Sequence, residues 1–424
     1  MASYVPPALN NSLKTVEWMW QSNPNPFSKS ERATWSHYSD LENLIIEEAF
    51  QDKQPQAQLD DYFIDFKSNL QISTTDDHKQ RPIKRVVRKR EDKHLREARF
   101  MDLPVSYGRS FGGEYGWISP FVIEVRRDLK FEPDDLPSKK PNMIPMLVEK
   151  AARGIIEEGQ SIGKKCEAEK LAKMLREKKN TGIEEVWKCC AYLYTLESFL
   201  YKTLNAAMRL VGDKEQEKVW RSKIRTLGPF CLLLWDDPFN TKLTTKKTLY
   251  RGATLTKEQI DAYTKMAGDK EAYGSFQAYT SCSRNRDKAE EFGNALFIME
   301  ILFAFIADLS PLSEYSAEEE ELVTPGVCFC VKSVEFDRKH DHNPLNQQTT
   351  NPTPDAYDPA RLLADFFRDR AAAALLRDRF DDLLGDDFDR DFDRDAFDRR
   401  DDLDRLGRYA YLLGCDRDGN EKKK

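Results

Sequence analysis

The chain has 424 residues, enough for two or three domains at about 100–200 residues each, with a formal net charge of −7 and a pI near 5.6. This acidic balance counts against a general nucleic-acid binder. No apolar run approaches the roughly 18 residues of a membrane span, and residues 1–7 lack the basic head and apolar stretch of a secretory signal. None of the eight cysteines forms a C-x-x-C pair, so a zinc or thioredoxin-like reading has no support, and no metal site is expected. Reduced thiols in an intracellular protein are expected, in the cytoplasm, with the nucleus open to it through one basic run.

Residues 5–90 read as one small module. Short aromatic-rich strands carry Trp18, Trp20, Trp35 and then Tyr62-Phe63-Ile64-Asp65-Phe66. Between them Ile45-Ile46-Glu47-Glu48-Ala49-Phe50 reads as a short amphipathic helix. Gln71 and Arg81-Pro82-Ile83-Lys84-Arg85 follow, the latter as a basic last strand. The basic run 84–90 fits the end of that strand running into a charged linker, 91–105, better than a nuclear-import signal.

A second domain spans 106–342. Pro, Gly and aromatic residues at 107–120 lead to a strand-like run at 121–125. Helices follow at 146–157 and 183–210, the latter read as one long helix with Val186, Cys190, Leu193, Leu196, Leu200, Leu204 and Met208 at helical spacing. An apolar helix is read at 227–234, led by Gly228-Pro229. Strand signals then take over at Leu249-Tyr250, at 295–299 and at 327–334, where Phe329 and Val331 alternate with Cys330 and Lys332. Helices before strands predict an α+β class. Residues 343–424 are a low-complexity tail rich in Asp, Arg, Phe and Leu. Phe380, Leu384, Phe388 and Phe392 fall four apart there, so a partly helical or disordered appendage is expected.

Three pieces of the second domain carry chemistry. Tyr250-Arg251-Gly252 closes a strand-like run, and an Arg at a strand end can grip a phosphate with a permanently charged fork of donors. The glycine allows close approach of a ligand to the backbone. Thr280-Ser281-Cys282-Ser283 supplies hydroxyls that can hold a ribose or a carboxylate. Glu318-Glu319-Glu320-Glu321-Leu322-Val323-Thr324-Pro325 supplies carboxylates that project on one side when two apart on an extended segment. One of such a pair can balance an oxocarbenium-like charge while the other takes a proton from the attacking group.

In order, spacing and strand context these pieces resemble the arginine-specific mono-ADP-ribosyltransferases, marked by an Arg, a Ser and a Glu-x-Glu. The resemblance extends to the helical stretch before Arg251 and to Phe292-Gly293-Asn294-Ala295-Leu296-Phe297. It implies a helical lobe plus two packed β-sheets, NAD as co-substrate without a metal, and a protein arginine as acceptor. It implies that Arg251 holds the phosphate and ribose region of NAD, with Tyr250, Gly252, Ser281 and Phe292 around it. Ser281 would position the catalytic Glu321, and Glu319 would activate the acceptor guanidinium. Leu322 and Val323 after Glu321 favour that frame over one built on Glu318 and Glu320.

The first module resembles the WWE domain, with Trp18, Trp35 and Glu47 at its naming positions, which implies a small half-barrel with one helix. Members that bind ADP-ribose units of poly(ADP-ribose) line their pocket with residues matched here by Trp20, Tyr62, Gln71 and Arg81. Together the resemblances imply an NAD-dependent mono-ADP-ribosyltransferase acting on arginine, partnered by ADP-ribose polymer or ADP-ribosylated proteins, with no direct nucleic-acid reading and no membrane. A catalytically silent ADP-ribose-binding scaffold and an NAD glycohydrolase are the alternatives.

Overall fold

The computed structural model describes residues 15–28, 30–87, 119–132, 135–239, 244, 246–269, 274–302 and 304–336. The expected linker at 91–105, the stretch 107–118 and the tail at 343–424 lie outside these residues.

The N-terminal module is a six-stranded antiparallel sheet with one helix. Its strands are β1 (Val16–Gln21), β2 (Trp35–His37), β3 (Gln56–Gln58), β4 (Tyr62–Asp65), β5 (Leu70–Ser73) and β6 (Gln80–Val87), in the order β2-β1-β6-β5-β4-β3. Helix α1 (Asp40–Gln51) starts at Ser39, whose hydroxyl caps Glu42 N–H while Glu42 returns the bond to the Ser39 N–H. That reciprocal pair satisfies two otherwise orphaned donors. Ile46 and Ala49 pack with Trp18, Tyr38, Leu59, Ile64 and Ile83 as the module's core.

A helical lobe follows: α2 (Pro120–Leu129), α3 (Ile144–Ser161), α4 (Lys165–Glu177), α5 (Ile183–Thr195), α6 (Phe199–Arg209), α7 (Glu217–Ser222) and α8 (Ile224–Trp235). Two sequence expectations change here. The run 121–125 is helical rather than a strand. Pro120 opens α2 with its fixed φ, and Phe121, Val122 and Val125 are buried while Glu124 pairs with Arg127 and Arg221. Five apolar-rich residues fit either period, and packing against α8 decides. The single helix read at 183–210 is two. Leu196 is extended (ψ 140°), and the Ser198 hydroxyl caps α6 through the Leu200 N–H. The spacing stayed helical across the break because both halves face one core.

The remaining strands form two sheets, as the α+β reading requires. β7 (Lys247–Ala253), β9 (Thr280–Ser283), β10 (Ala295–Ile301), β11 (Ile306–Asp308) and β12 (Glu320–Val323) are ordered β10-β7-β9-β12-β11. β8 (Gly274–Ser275) pairs with β13 (Cys328–Phe329). Of the strand expected at 327–334 only β13 pairs, and residues 330–336 form no strand. Leu249, Phe276, Cys282, Ile306 and Val323, with Phe329, fill the space between the sheets. Ala307 and Leu322 join the core of the helical lobe. Two further helices complete the domain: α10 (Arg286–Glu290) flanks β7 and β9, and α9 (Lys257–Ala267) packs Tyr263 and Met266 in a cluster with Ala253 and Phe297.

Candidate active site

Three neighbouring strands, β7, β9 and β12, carry the residues singled out above. Antiparallel pairing sets Tyr250 opposite Ser283, and Glu320, Glu321 and Leu322 opposite Ser283, Cys282 and Ser281. Residues directly opposite share a face of the sheet. Arg251, Cys282 and Glu321 therefore lie on one face, and Ser281, Ser283 and Glu320 on the other. Strand alternation thus divides the four-glutamate run.

Arg251 is 2% exposed, and its Nη1 donates to the Ser281 carbonyl at 2.6 Å. Ser281 accordingly reaches Arg251 through the main chain, while its register partner is Leu322 rather than Glu321. The Cys282 thiol between Arg251 and Glu321 is pushed up to about 12 by burial, so it acts as an apolar spacer rather than a nucleophile.

Glu321 is 1% exposed. Its Oε1 accepts from Lys247 Nζ and, at 2.9 Å, from Arg284 Nη1. Its Oε2 is buried with no hydrogen bond among the described residues. Glu319 stands at the end of a 3₁₀ turn, Ser316–Glu318, in the left-handed region with φ 46°. Its carboxylate lies 3.4 Å from Arg284 Nε and its side chain is 45% exposed. Arg284 also reaches Asp308 at 2.8 Å and Ser310 Oγ at 3.0 Å. Burial works against the Arg284 charge, but the bonds from Asp308 and Glu321 outweigh it and raise its pKa. Of the other pair of glutamates, Glu318 is buried with its carbonyl taking the Ser283 hydroxyl at 2.7 Å, and Glu320 is fully buried.

The glycine after Arg251 is required by the chain itself. A Cβ at Gly252 would lie 2.2 Å and 2.3 Å from the carbonyl oxygens of Ala289 and Phe292. The close approach at this point is by α10 and the buried Phe292. Tyr250 is half-buried on the same strand.

In the N-terminal module the four expected pocket residues lie on the adjacent strands β1, β6, β5 and β4. Gln71 faces Arg81 across β5 and β6, and the Arg81 guanidinium stacks 5.3 Å from the Trp20 ring centroid. Tyr62, on β4, is exposed on the face that register assigns to Gln71. Arg81 Nη1 also donates to the Gln21 and Asn23 carbonyls at 2.9 and 2.8 Å, which pins the turn beside the pocket. Tyr38, which sequence reasoning missed, donates its hydroxyl to Gln71 Oε1 at 2.6 Å. Glu47 serves the core instead. It accepts from Trp18 Nε1 at 2.8 Å and from Gln51 at 2.6 Å, and takes a two-point grip from Arg85 at 2.7 and 2.9 Å.

Lys247, Arg284 and Asp308 were also missed. The one signal for Arg284 was its place directly after the Ser-x-Ser strand.

Family models match residues 16–85 as a WWE domain and residues 181–353 as an NAD:arginine ADP-ribosyltransferase. The chain carries a WWE domain followed by an ADP-ribosyltransferase domain. Among solved structures it is similar to the eukaryotic mono-ADP-ribosyltransferase ART2.2, with 16% identity over 53% of this chain and 86% of that one and a TM-score of 0.32. It is also similar to the ADP-ribosyltransferase HopU1 of Pseudomonas syringae pv. tomato DC3000, with 16% identity over 38% and 79% and a TM-score of 0.30. No curated protein matched the chain. The family matched at residues 181–353 is one that uses NAD as its substrate. No helix among the described residues is long and apolar enough to cross a membrane, and no group of three or more His, Cys, Asp or Glu among them is placed to hold a metal ion.

Proposed function

We propose that the ADP-ribosyltransferase domain moves ADP-ribose from NAD to arginine side chains of acceptor proteins, while the WWE domain binds ADP-ribose units of a polymer or of modified proteins. One observation carries the choice of arginine. Glu319 and Glu321 already share a guanidinium, that of Arg284, at the edge of the site. Two carboxylates so placed bind a planar cation of that shape with high geometric specificity.

The residues present fit NAD. Arg251, fixed by the Ser281 carbonyl, offers a buried permanent charge for a diphosphate. Glu321 Oε2, buried and without a hydrogen bond among the described residues, is an acceptor suited to a ribose hydroxyl. In the proposed roles Glu321 balances positive charge on the ribose as its bond to nicotinamide breaks. Glu319, half exposed at the rim, takes the proton that the acceptor guanidinium gives up as the new carbon–nitrogen bond forms. The contacts of Glu319 and Glu321 with one guanidinium support this frame over one using Glu318 and Glu320, and Glu320 lies on the sheet face opposite to Arg251.

The test incubates the full chain with labelled NAD and an arginine-rich acceptor, beside Glu321→Gln. Label that appears on the acceptor, is lost in the variant and is released by hydroxylamine supports arginine-directed transfer. Intact NAD with no label moves the assignment to an ADP-ribose-binding scaffold. Consumed NAD with no label moves it to glycohydrolysis.

A further inference from the structure

The two domains share a built contact that ends at the catalytic turn. Asp40, the first residue of α1 in the WWE domain, is 1% exposed. Its Oδ1 accepts from the Tyr315 hydroxyl at 2.7 Å and its Oδ2 from the Glu197 N–H at 2.7 Å. Tyr315, also 1% exposed, is the last residue before the 3₁₀ turn that delivers Glu319. It is held at every polar group: its N–H by Ser313 Oγ at 3.0 Å, its carbonyl by the Glu318 N–H at 3.1 Å and its hydroxyl by Asp40. The turn closes with Glu319 in the left-handed region, where a residue with a Cβ persists only when its surroundings over-determine it.

The contact extends in the other direction to the polymer pocket. Tyr38 lies two residues before Asp40, on the far side of the cap residue Ser39, and its hydroxyl is bonded to Gln71. Other bonds fix the same interface. Asp60 of the WWE domain accepts the Cys166 N–H at 2.6 Å at the start of α4, and Glu48 binds Lys170 at 2.5 Å. Leu41 and Leu44 of α1 belong to the core of the helical lobe rather than to that of their own module.

We propose that Asp40 is a positioning residue of the transferase, and that occupancy of the WWE pocket by ADP-ribose is coupled to the Glu319 turn through Gln71, Tyr38, Asp40 and Tyr315. A ligand that takes a hydrogen bond from or gives one to the Gln71 amide re-sets its bond with Tyr38. Tyr38 shares a rigid capped segment with Asp40, so the Asp40–Tyr315 bond is the step that carries the change across the domains. The turn is the element with two arrangements: ordered with Glu319 beside Arg284, or loosened with Glu319 released from the left-handed region. A ligand can move that balance only by its differential affinity for the two, and the coupling is reciprocal. The proposal rests on the readings of Glu319 and of the WWE pocket given above.

The test uses the full chain, Tyr315→Phe and Asp40→Asn, each with and without a short ADP-ribose polymer fragment. Amide hydrogen exchange across 313–321 is followed together with transfer kinetics. The proposal expects the fragment to slow exchange at 316–319 at least 3-fold in the parent chain and to leave it unchanged in both variants, with fragment affinity kept within 2-fold. It also expects the variants to lower kcat about 10-fold with KM for NAD within 2-fold, with kcat counted per folded molecule by thermal unfolding, because loss of folded enzyme alone gives the same split. A fragment that fails to bind, or that binds without altering exchange at 316–319, overturns the coupling. A parent chain that shows the exchange response but no transfer sinks the arginine-transfer reading and leaves the coupling standing. Normal transfer with kcat unchanged in Tyr315→Phe overturns the positioning role alone.

Discussion

Glu47 in the WWE domain and Glu321 in the transferase domain are both about 1% exposed, yet they are used in opposite ways. Both oxygens of Glu47 are bonded, to Trp18, Gln51 and Arg85. Burial pushes its carboxyl up, but the bonds from Arg85, Gln51 and Trp18 outweigh that and hold it below the ordinary value. Glu321 loads Oε1 with two cations and leaves Oε2 without a hydrogen bond among the described residues. A saturated buried carboxylate fastens elements together. A half-satisfied one retains free energy that a ligand can recover, since a buried acceptor without a partner costs about 1–3 kcal/mol. That difference separates the structural glutamate from the one proposed as catalytic without reference to any motif.

The comparison can be broken most directly at Glu321. Glu321→Gln keeps the shape and removes the charge, and is expected to lower kcat by about 10³-fold, the scale of losing one electrostatic stabiliser in an active site. Thermal unfolding should stay within a few degrees of the parent. A collapse of the fold instead would make Glu321 as structural as Glu47.

Glu47→Ala should do the reverse. Stripping a largely buried pair of one partner costs on the order of 3 kcal/mol, read from the urea midpoint of the WWE transition, and a fold-intact fraction should still transfer. Gly252→Ala is expected to cost roughly 2 kcal/mol by overpacking, because its Cβ would meet the Ala289 and Phe292 carbonyls. The urea midpoint of the second domain reports it.

A pH series sharpens the contrast further. Because the folded Glu47 pKa lies below the ordinary glutamate value, its contribution is fully present above that ordinary value and is lost as pH falls through the folded one. Stability of the parent WWE domain measured from pH 6 to pH 3 should therefore fall on the acid side, and Glu47→Gln should flatten that limb. The smallest effect is expected at Tyr38→Phe, which removes one neutral hydrogen bond worth about 1 kcal/mol and should weaken polymer-fragment binding about 5-fold by titration.

Much of this was legible in the sequence where chemistry and local pattern coincide. Arg251 and Ser281 lie on strands the sequence offered, whereas the glutamate run expected to be extended is a strand only from Glu320, with Glu318 and Glu319 in the turn before it. Local pattern failed where packing decides. The run 121–125 carries too few residues to separate a period of 2 from one of 3.6, and only burial against α8 makes it a helix. The break at Leu196 was hidden because two helices facing one core keep a common spacing. The partners of Glu321 were out of reach for a different reason. Lys247 lies 74 residues away and Arg284 lies 37 away, and only the strand order β7-β9-β12 brings them together. The same holds for Asp40, an unremarked first residue of a helix until Tyr315 reaches it from 275 positions down the chain.

The sulfur atom between Arg251 and Glu321 has a consequence for how the domain tolerates its surroundings. With its thiol pushed up to about 12, Cys282 holds almost no thiolate at neutral pH, and the thiolate is the form that electrophiles and oxidants attack. Cys189 and Cys231, in the core of the helical lobe, are pushed to about the same value by burial. Alkylating reagents should therefore leave Cys282 unmarked as long as the sheet around it stays folded.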